Sequence, residues 1–117
     1  MMGFEKFLGI LSRMKSNEGI RPSVAESYLA KVKPEESFQA VHGEEFTSLV
    51  GMFVALQNME DHVFDSHVNE EKNDFANWVE HCIQDEELAQ RLRGKTDKEE
   101  MTVAVGERVK ELLHALK

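Results

Sequence analysis

Apolar residues recur along this chain at helical spacing, in short runs separated by polar breaks. Over residues 3–15, Phe4, Phe7, Leu8, Leu11 and Met14 fall on one stripe. Glu5, Lys6, Ser12, Arg13 and Lys15 lie mostly opposite, and Ser16-Asn17-Glu18-Gly19 breaks the pattern. Pro22 suits the first turn of a second helix, where its missing N–H would have no partner anyway. That helix carries Val24, Tyr28 and Val32, and Lys33-Pro34 ends it, because a residue before proline avoids the α region. Residues 37–46 have no helical period. They read as a loop with at most one short extended segment, at 38–41, and a turn at Gly43.

From Thr47 the helical period is clear. Thr47 or Ser48 caps a helix by accepting from a free backbone N–H, and Leu49, Met52, Phe53, Leu56 and Met59 follow. Asp61 caps a short segment in which Val63, Phe64, His67 and Val68 share a face. Asn73 or Asp74 caps the next helix, whose Phe75, Trp78, Val79, Cys82 and Ile83 give the cleanest amphipathic pattern of the chain. Asp85-Glu86-Glu87 opens a helix holding Leu88, Ala89 and Leu92, with acids at the positive end of its dipole. Arg91 and Arg93 occupy its last turn, and Gly94 supplies a left-handed stop. Thr96-Asp97-Lys98-Glu99 reads as a capping box. It begins a long last helix with Met101, Val105, Val109, Leu112 and Leu116 on one stripe. Gly106 lies inside that helix at a cost of about 1 kcal/mol against alanine, which implies close packing of a second helix there.

These elements predict an all-α fold, a compact bundle of five or six short helices in a single domain, 1–117. Residues 1–20 form an N-terminal amphipathic arm, and 36–117 the helical body. A chain of 117 residues buries roughly 65% of its unfolded surface, enough for a core without staples. One cysteine, Cys82, makes no internal disulfide, and no Cys/His zinc spacing is present. No apolar run approaches the roughly 20 residues that span a bilayer, and the N-terminus does not read as a signal peptide, so a cytoplasmic address is expected. The net charge of −8, with acids spread along the chain, disfavours a nucleic-acid partner, which would need a basic face.

The polar hinge from His67 to Val79 holds the only tryptophan, a histidine and several Asn and Asp side chains. From about Phe38 to Leu113 the chain resembles an uncharacterised small helical domain family of prokaryotes, mainly archaeal. The matching positions include Phe38, His42-Gly43, Ser48-Leu49, Leu56, Met59 and Phe64. His67-Val68-Asn69, Asn73-Asp74-Phe75, Trp78-Val79, Asp85, Leu88-Ala89 and Leu92 complete the pattern. Members often have Asp where this chain has His42, and an aliphatic residue where it has Cys82. The resemblance covers about two thirds of the chain, implies a helical module and implies no activity.

His67 and Asp74 admit an acid/base reading, since general catalysis needs a histidine within reach of a substrate proton and an orienting group. The expectation here is structural: Asp74 caps a helix, Asn69 and Asn73 close a turn, and His67 bonds a backbone carbonyl. Phe75 and Trp78 are expected to pack in the core rather than stack on a ligand. Asp61, His62, Asp65, His67, His81 and Asp85 lack the spacing of converging ligands, so no metal and no cofactor is expected. Cys82, late in an apolar-faced helix, is expected to be buried and inert. Arg91, Arg93, Lys95 and Lys98 flank a helix start and form a possible anion-binding cluster. Phe4, Phe7, Leu8 and Leu11 form a possible partner-binding stripe, packing on the body, on a second copy in a homodimer or on another protein. A membrane-surface role fits poorly, because the polar face of the arm is only weakly basic. The expected function is a non-enzymatic interaction or regulatory module acting through an apolar helix face. The alternative is a small enzyme or an anion- or ligand-binding domain using His67 and Asp74 with Arg91 or Arg93.

Overall fold

Pro22 stands at the first turn of α1 (Pro22–Leu29) in the computed structural model of the protein, which describes residues 19–41 and 44–117. The N-terminal stripe, His42 and the Gly43 turn lie outside the described residues. The helix stops at Leu29 rather than at Lys33, and Ala30 is extended. Beyond it, the Val32 N–H donates to the Thr47 carbonyl at 2.8 Å instead of to a helical turn. Pro34 then opens a single 3-10 turn, Pro34–Glu36.

Two short strands follow where the sequence pattern suggests at most one. β1 (Phe38–Gln39) pairs antiparallel with β2 (Glu45–Phe46), placing Phe38 opposite Phe46. Their rings stack at 4.8 Å, and Phe38 also stacks on Phe75 at 4.8 Å. The Trp78 ring meets Phe46 edge-on at 5.1 Å. So short a ladder is held by aromatic packing more than by its own hydrogen bonds.

Ser48 caps α2 (Leu49–Asn58), its hydroxyl accepting from the Gly51 N–H at 3.0 Å. Leu49, Met52 and Leu56 are fully buried along one side. α3 (Asp61–His67) has Glu60 at its cap without a side-chain bond, so Asp61 is the first helical residue, not the cap. Asn73 caps α4 (Asp74–Trp78). The stripe from Phe75 to Ile83 is continuous, but its backbone changes ladder: Val79–Ile83 form a π-helical turn. Gln84 closes that turn at φ 70, the left-handed region. A side chain there costs about 1–2 kcal/mol. This reversal allows Asp85 to begin α5 (Glu86–Arg93) in a new direction. Gly94 ends α5 at φ −90, so its stop is not left-handed. Asp97, one residue beyond Thr96, caps α6 (Lys98–Ala115) by accepting from the Glu100 N–H at 3.0 Å.

The result is an all-α bundle in which α6 packs against α1, α2 and α5. A charged pair lies inside it. Asp85 is fully buried, and Arg108 is 4% exposed. The Arg108 Nε and Nη2 donate to the two Asp85 oxygens at 2.8 and 2.9 Å, while Asp85 also accepts from the Leu88 N–H at 3.2 Å. Burial alone would push the guanidinium down. The hydrogen bonds and charge of Asp85, with those of Glu111, outweigh that and hold it above its ordinary value.

At Gly106 the Phe53 ring of α2 lies against α6. A Cβ there would stand 2.7 Å from Cε1 of Phe53. Replacing Gly106 by Ala should therefore gain about 1 kcal/mol of helix propensity only where the ring is gone. The expected outcome is a larger stability gain for Gly106→Ala in a Phe53→Ala background than in the natural chain, read from urea denaturation. Equal gains in both backgrounds would show that ring and glycine do not meet.

Candidate functional site

The hinge between α3 and α4 is held by side chains that bond the protein's own backbone. Asn69 Oδ1 accepts from the N–H groups of Glu71 and Lys72 at 2.8 and 3.1 Å, closing the turn. Asn73 caps α4 through Oδ1, accepting from Ala76 N–H at 3.0 Å, and its Nδ2 donates to the Leu92 carbonyl at 2.9 Å. One amide thus ties the start of α4 to the end of α5. Trp78 is buried, and its indole N–H donates to the Glu36 carbonyl at 2.7 Å.

His67 is buried beside Phe38 and Phe75. Its Nδ1 lies 2.9 Å from Asp74 Oδ2, and its Nε2 accepts from the Val41 N–H at 3.2 Å. A neutral ring with its proton on Nδ1 satisfies both bonds. Its backbone partner is therefore an N–H rather than a carbonyl. Asp74 caps nothing; it is the first residue of α4 and also takes the Lys72 ammonium at 3.1 Å. A cleft of about 180 Å³ beside the hinge is lined by Asn69, Lys72, Asn73, Arg93 and Lys95 among others, but not by His67 or Asp74.

The four basic residues around Gly94 do not converge. Arg91 forks onto Glu111 at 3.0 and 3.1 Å and reaches Glu87 at 3.0 Å. Arg93 pairs with Glu80 and donates to Asn77. Lys98 donates to the Met59 carbonyl and lies 3.6 Å from Asp61. Lys95 has no ion-pair partner among the described residues. The neighbouring cleft of about 750 Å³ is lined by Asp97, Glu99, Glu100 and Glu107 against Arg91 and Lys95, a balance that repels anions. Among the described residues, no three His, Cys, Asp or Glu side chains are grouped to hold a metal ion. His62 is 3.4 Å from Glu60, and His81 is exposed. Cys82 is half-buried, and burial with the nearby Glu36 charge pushes its thiol up, away from the reactive thiolate.

Two sets of residues carry more weight in the structure than their sequence pattern suggests. Arg108 and Glu111 complete a chain of ion pairs running Asp85–Arg108–Glu111–Arg91–Glu87. The signal was available: Arg108 falls on the stripe of Met101, Val105 and Leu112, where a charge needs a buried partner. The second set is an apolar face. Val50 and Val54 on α2, and Val103 and Leu113 on α6, are each about half exposed, at 47%, 50%, 54% and 48%. Val50, Phe53 and Val54 share one stripe of α2, and Val103, Gly106 and Leu113 one stripe of α6. Contact of Phe53 with Gly106 joins the two stripes into one surface. Leu56 and Gln57 share a cleft with Thr102 and Val103, so the helices run antiparallel. Among the described residues, no helix is long and apolar enough to cross a membrane.

No protein-family model matches the chain, and no curated protein or solved structure matches it.

The ion-pair chain makes stability depend on pH. Burial pushes the Glu111 carboxyl up, but hydrogen bonds from Arg91 and Arg108, and their charges, outweigh this and hold it below 4.5. A carboxyl depressed in the folded state stabilises the fold above its unfolded value and loses that contribution as pH falls through the folded value. Glu111→Gln is expected to be less stable than the natural chain at neutral pH, with the gap closing as pH drops below 4.5. Urea midpoints measured across that range check it. A gap that stays constant into acid contradicts it.

Proposed function

We propose that this protein is a non-enzymatic helical interaction module that binds a protein partner through the α2/α6 face. The observation that carries this reading is the row of half-exposed Val50, Val54, Val103 and Leu113 around the Phe53–Gly106 contact. Apolar side chains grouped at helical spacing on a surface are the anchors that a partner helix buries.

The hinge supports the same reading by what it spends internally. His67 uses both ring nitrogens, Asn73 uses both ends of its amide, and Trp78 uses its indole N–H. Catalysis by His67 needs a ring nitrogen facing a substrate, and here each faces the protein's own chain. The strongest bases near α5 are likewise occupied by carboxylates. The resemblance to a prokaryotic helical domain fits a module of this kind and adds no reaction.

A photo-activatable benzoylphenylalanine at Val54 or Val103, in cells of the native host, tests the reading. Crosslinks to a defined protein are expected from both positions, absent from a control at Glu70 and lost on introducing Val50→Glu. Val50 is exposed, so this substitution leaves the core intact. Adducts equal to the control would remove the α2/α6 face as a binding surface.

A further inference from the structure

We infer that the partner taken by the α2/α6 face is a basic amphipathic helix. Its apolar side chains seat on Val50, Val54, Val103 and Leu113, and its Lys or Arg side chains enter the acidic cleft beside Val103. This rests on the reading of that face as the binding surface, and it names the chemistry of the occupant.

Val103 joins the apolar face to two clefts. One it shares with Leu56 and Gln57 of α2. The other is the cleft of about 750 Å³ that reaches Arg91 and Lys95 at the end of α5. Asp97, Glu99, Glu100 and Glu107 line this second cleft. Glu99, Glu100 and Glu107 are exposed and make no ion pair among the described residues. Arg91 is already held by Glu87 and Glu111, which leaves Lys95 as the base facing them. Lys110, exposed two turns from Val103 on α6, adds one more. Acids therefore outnumber unpaired bases beside the apolar anchors. The cleft also has an apolar part, Val103 and the buried Ala104. Glu100 and Glu107 stand three or four residues from each of them, on neighbouring positions of the helix surface. A long basic side chain suits this arrangement, with its aliphatic stem on Val103 and Ala104 and its charged head at the carboxylates.

Charge separates this occupant from the others. A nucleic acid or an anionic membrane surface meets like charge at Glu99, Glu100 and Glu107. A second copy carries the same net −8 and approaches against its own charge. Length fits a helix. Val103 and Leu113 lie ten steps apart along α6, about 15 Å at the helical rise, which three turns of a partner helix would cover. The apolar anchors supply the buried contact, and the acids speed encounter and select the partner's sign.

Two synthetic helical peptides provide the test. They share one stripe of leucines and differ only in the polar face, lysine in one and glutamate in the other. Each is titrated into the full chain carrying isotope-labelled Val and Leu methyls. The lysine peptide is expected to shift the methyl signals of Val50, Val54, Val103 and Leu113, and the glutamate peptide to leave them unchanged. Glu100→Gln with Glu107→Gln should weaken binding of the lysine peptide about fivefold, as the loss of two exposed charge contacts would. Glu70→Gln with Glu71→Gln, exposed at the hinge, removes the same charge and should leave the affinity nearly unchanged. Equal losses from the two pairs overturn the inference, because overall charge alone then governs binding. Equal binding of both peptides at the four methyls also overturns it, and leaves the α2/α6 face standing as a surface without charge preference. Shifts centred elsewhere, or none with either peptide, overturn it as well, and the crosslinks from Val54 and Val103 then decide the wider reading by themselves.

Discussion

The contact on which the bundle depends is the ion pair between Asp85 and Arg108. Both side chains are removed from water, 0% and 5% exposed. Isolating two charges this way costs several kcal/mol per ion, and only near-complete hydrogen bonding offsets it. Asp85 receives three donors, two from Arg108 and one from the Leu88 amide. The carboxylate therefore acts both as the cap of α5 and as the socket for α6. A shift of either helix along the other would strand a buried charge, so the pair fixes their register. The π-helical turn and the left-handed Gln84 stand immediately before Asp85, at the entry to α5.

This constraint orders the surface as well. Glu111 and Arg91 extend the pair outward between α5 and α6, so Arg91, which the sequence pattern offers to a ligand, is engaged by an acid. At the opposite end, Asn73 links α4 to α5, and His67 links α3 to the chain at Val41. Polar chemistry in this protein is largely turned inward. Apolar side chains are grouped outward on the α2/α6 face, where Val50, Val54, Val103 and Leu113 are about half exposed beside the Phe53–Gly106 contact.

Much of the fold is legible in the sequence because it rests on local period. The stripes of α2, α4 and α6, the proline start of α1 and the close packing at Gly106 are all readable from spacing. Caps slip by one residue: at α6 Asp97 takes the free N–H that Thr96 would also suit, and at α3 Glu60 holds the cap position without a side-chain bond. β2 is invisible locally: Glu45–Phe46 has no alternation to detect and exists because Phe46 stacks on Phe38. The π-helical turn keeps the apolar stripe of a normal helix and so leaves no trace in the pattern. The candidate site is the less legible part. Which partner His67 takes depends on Val41, 26 residues away, and Arg91 shows its true partner only when α6 is folded against α5. The exposed face is hardest of all, since Val103 and Leu113 look like ordinary helix residues until the stripe beside them is known to be the buried one.

The most direct measurement is a double-mutant cycle on Asp85→Asn and Arg108→Gln, with stability read from urea denaturation. Asparagine keeps the helix cap, so the cycle isolates the charged contact. The account predicts a coupling energy of about 2 kcal/mol or more, at the upper end for contacting residues. Additivity within about 0.5 kcal/mol would show that the two side chains act independently, and that the register of α5 on α6 is set by something else.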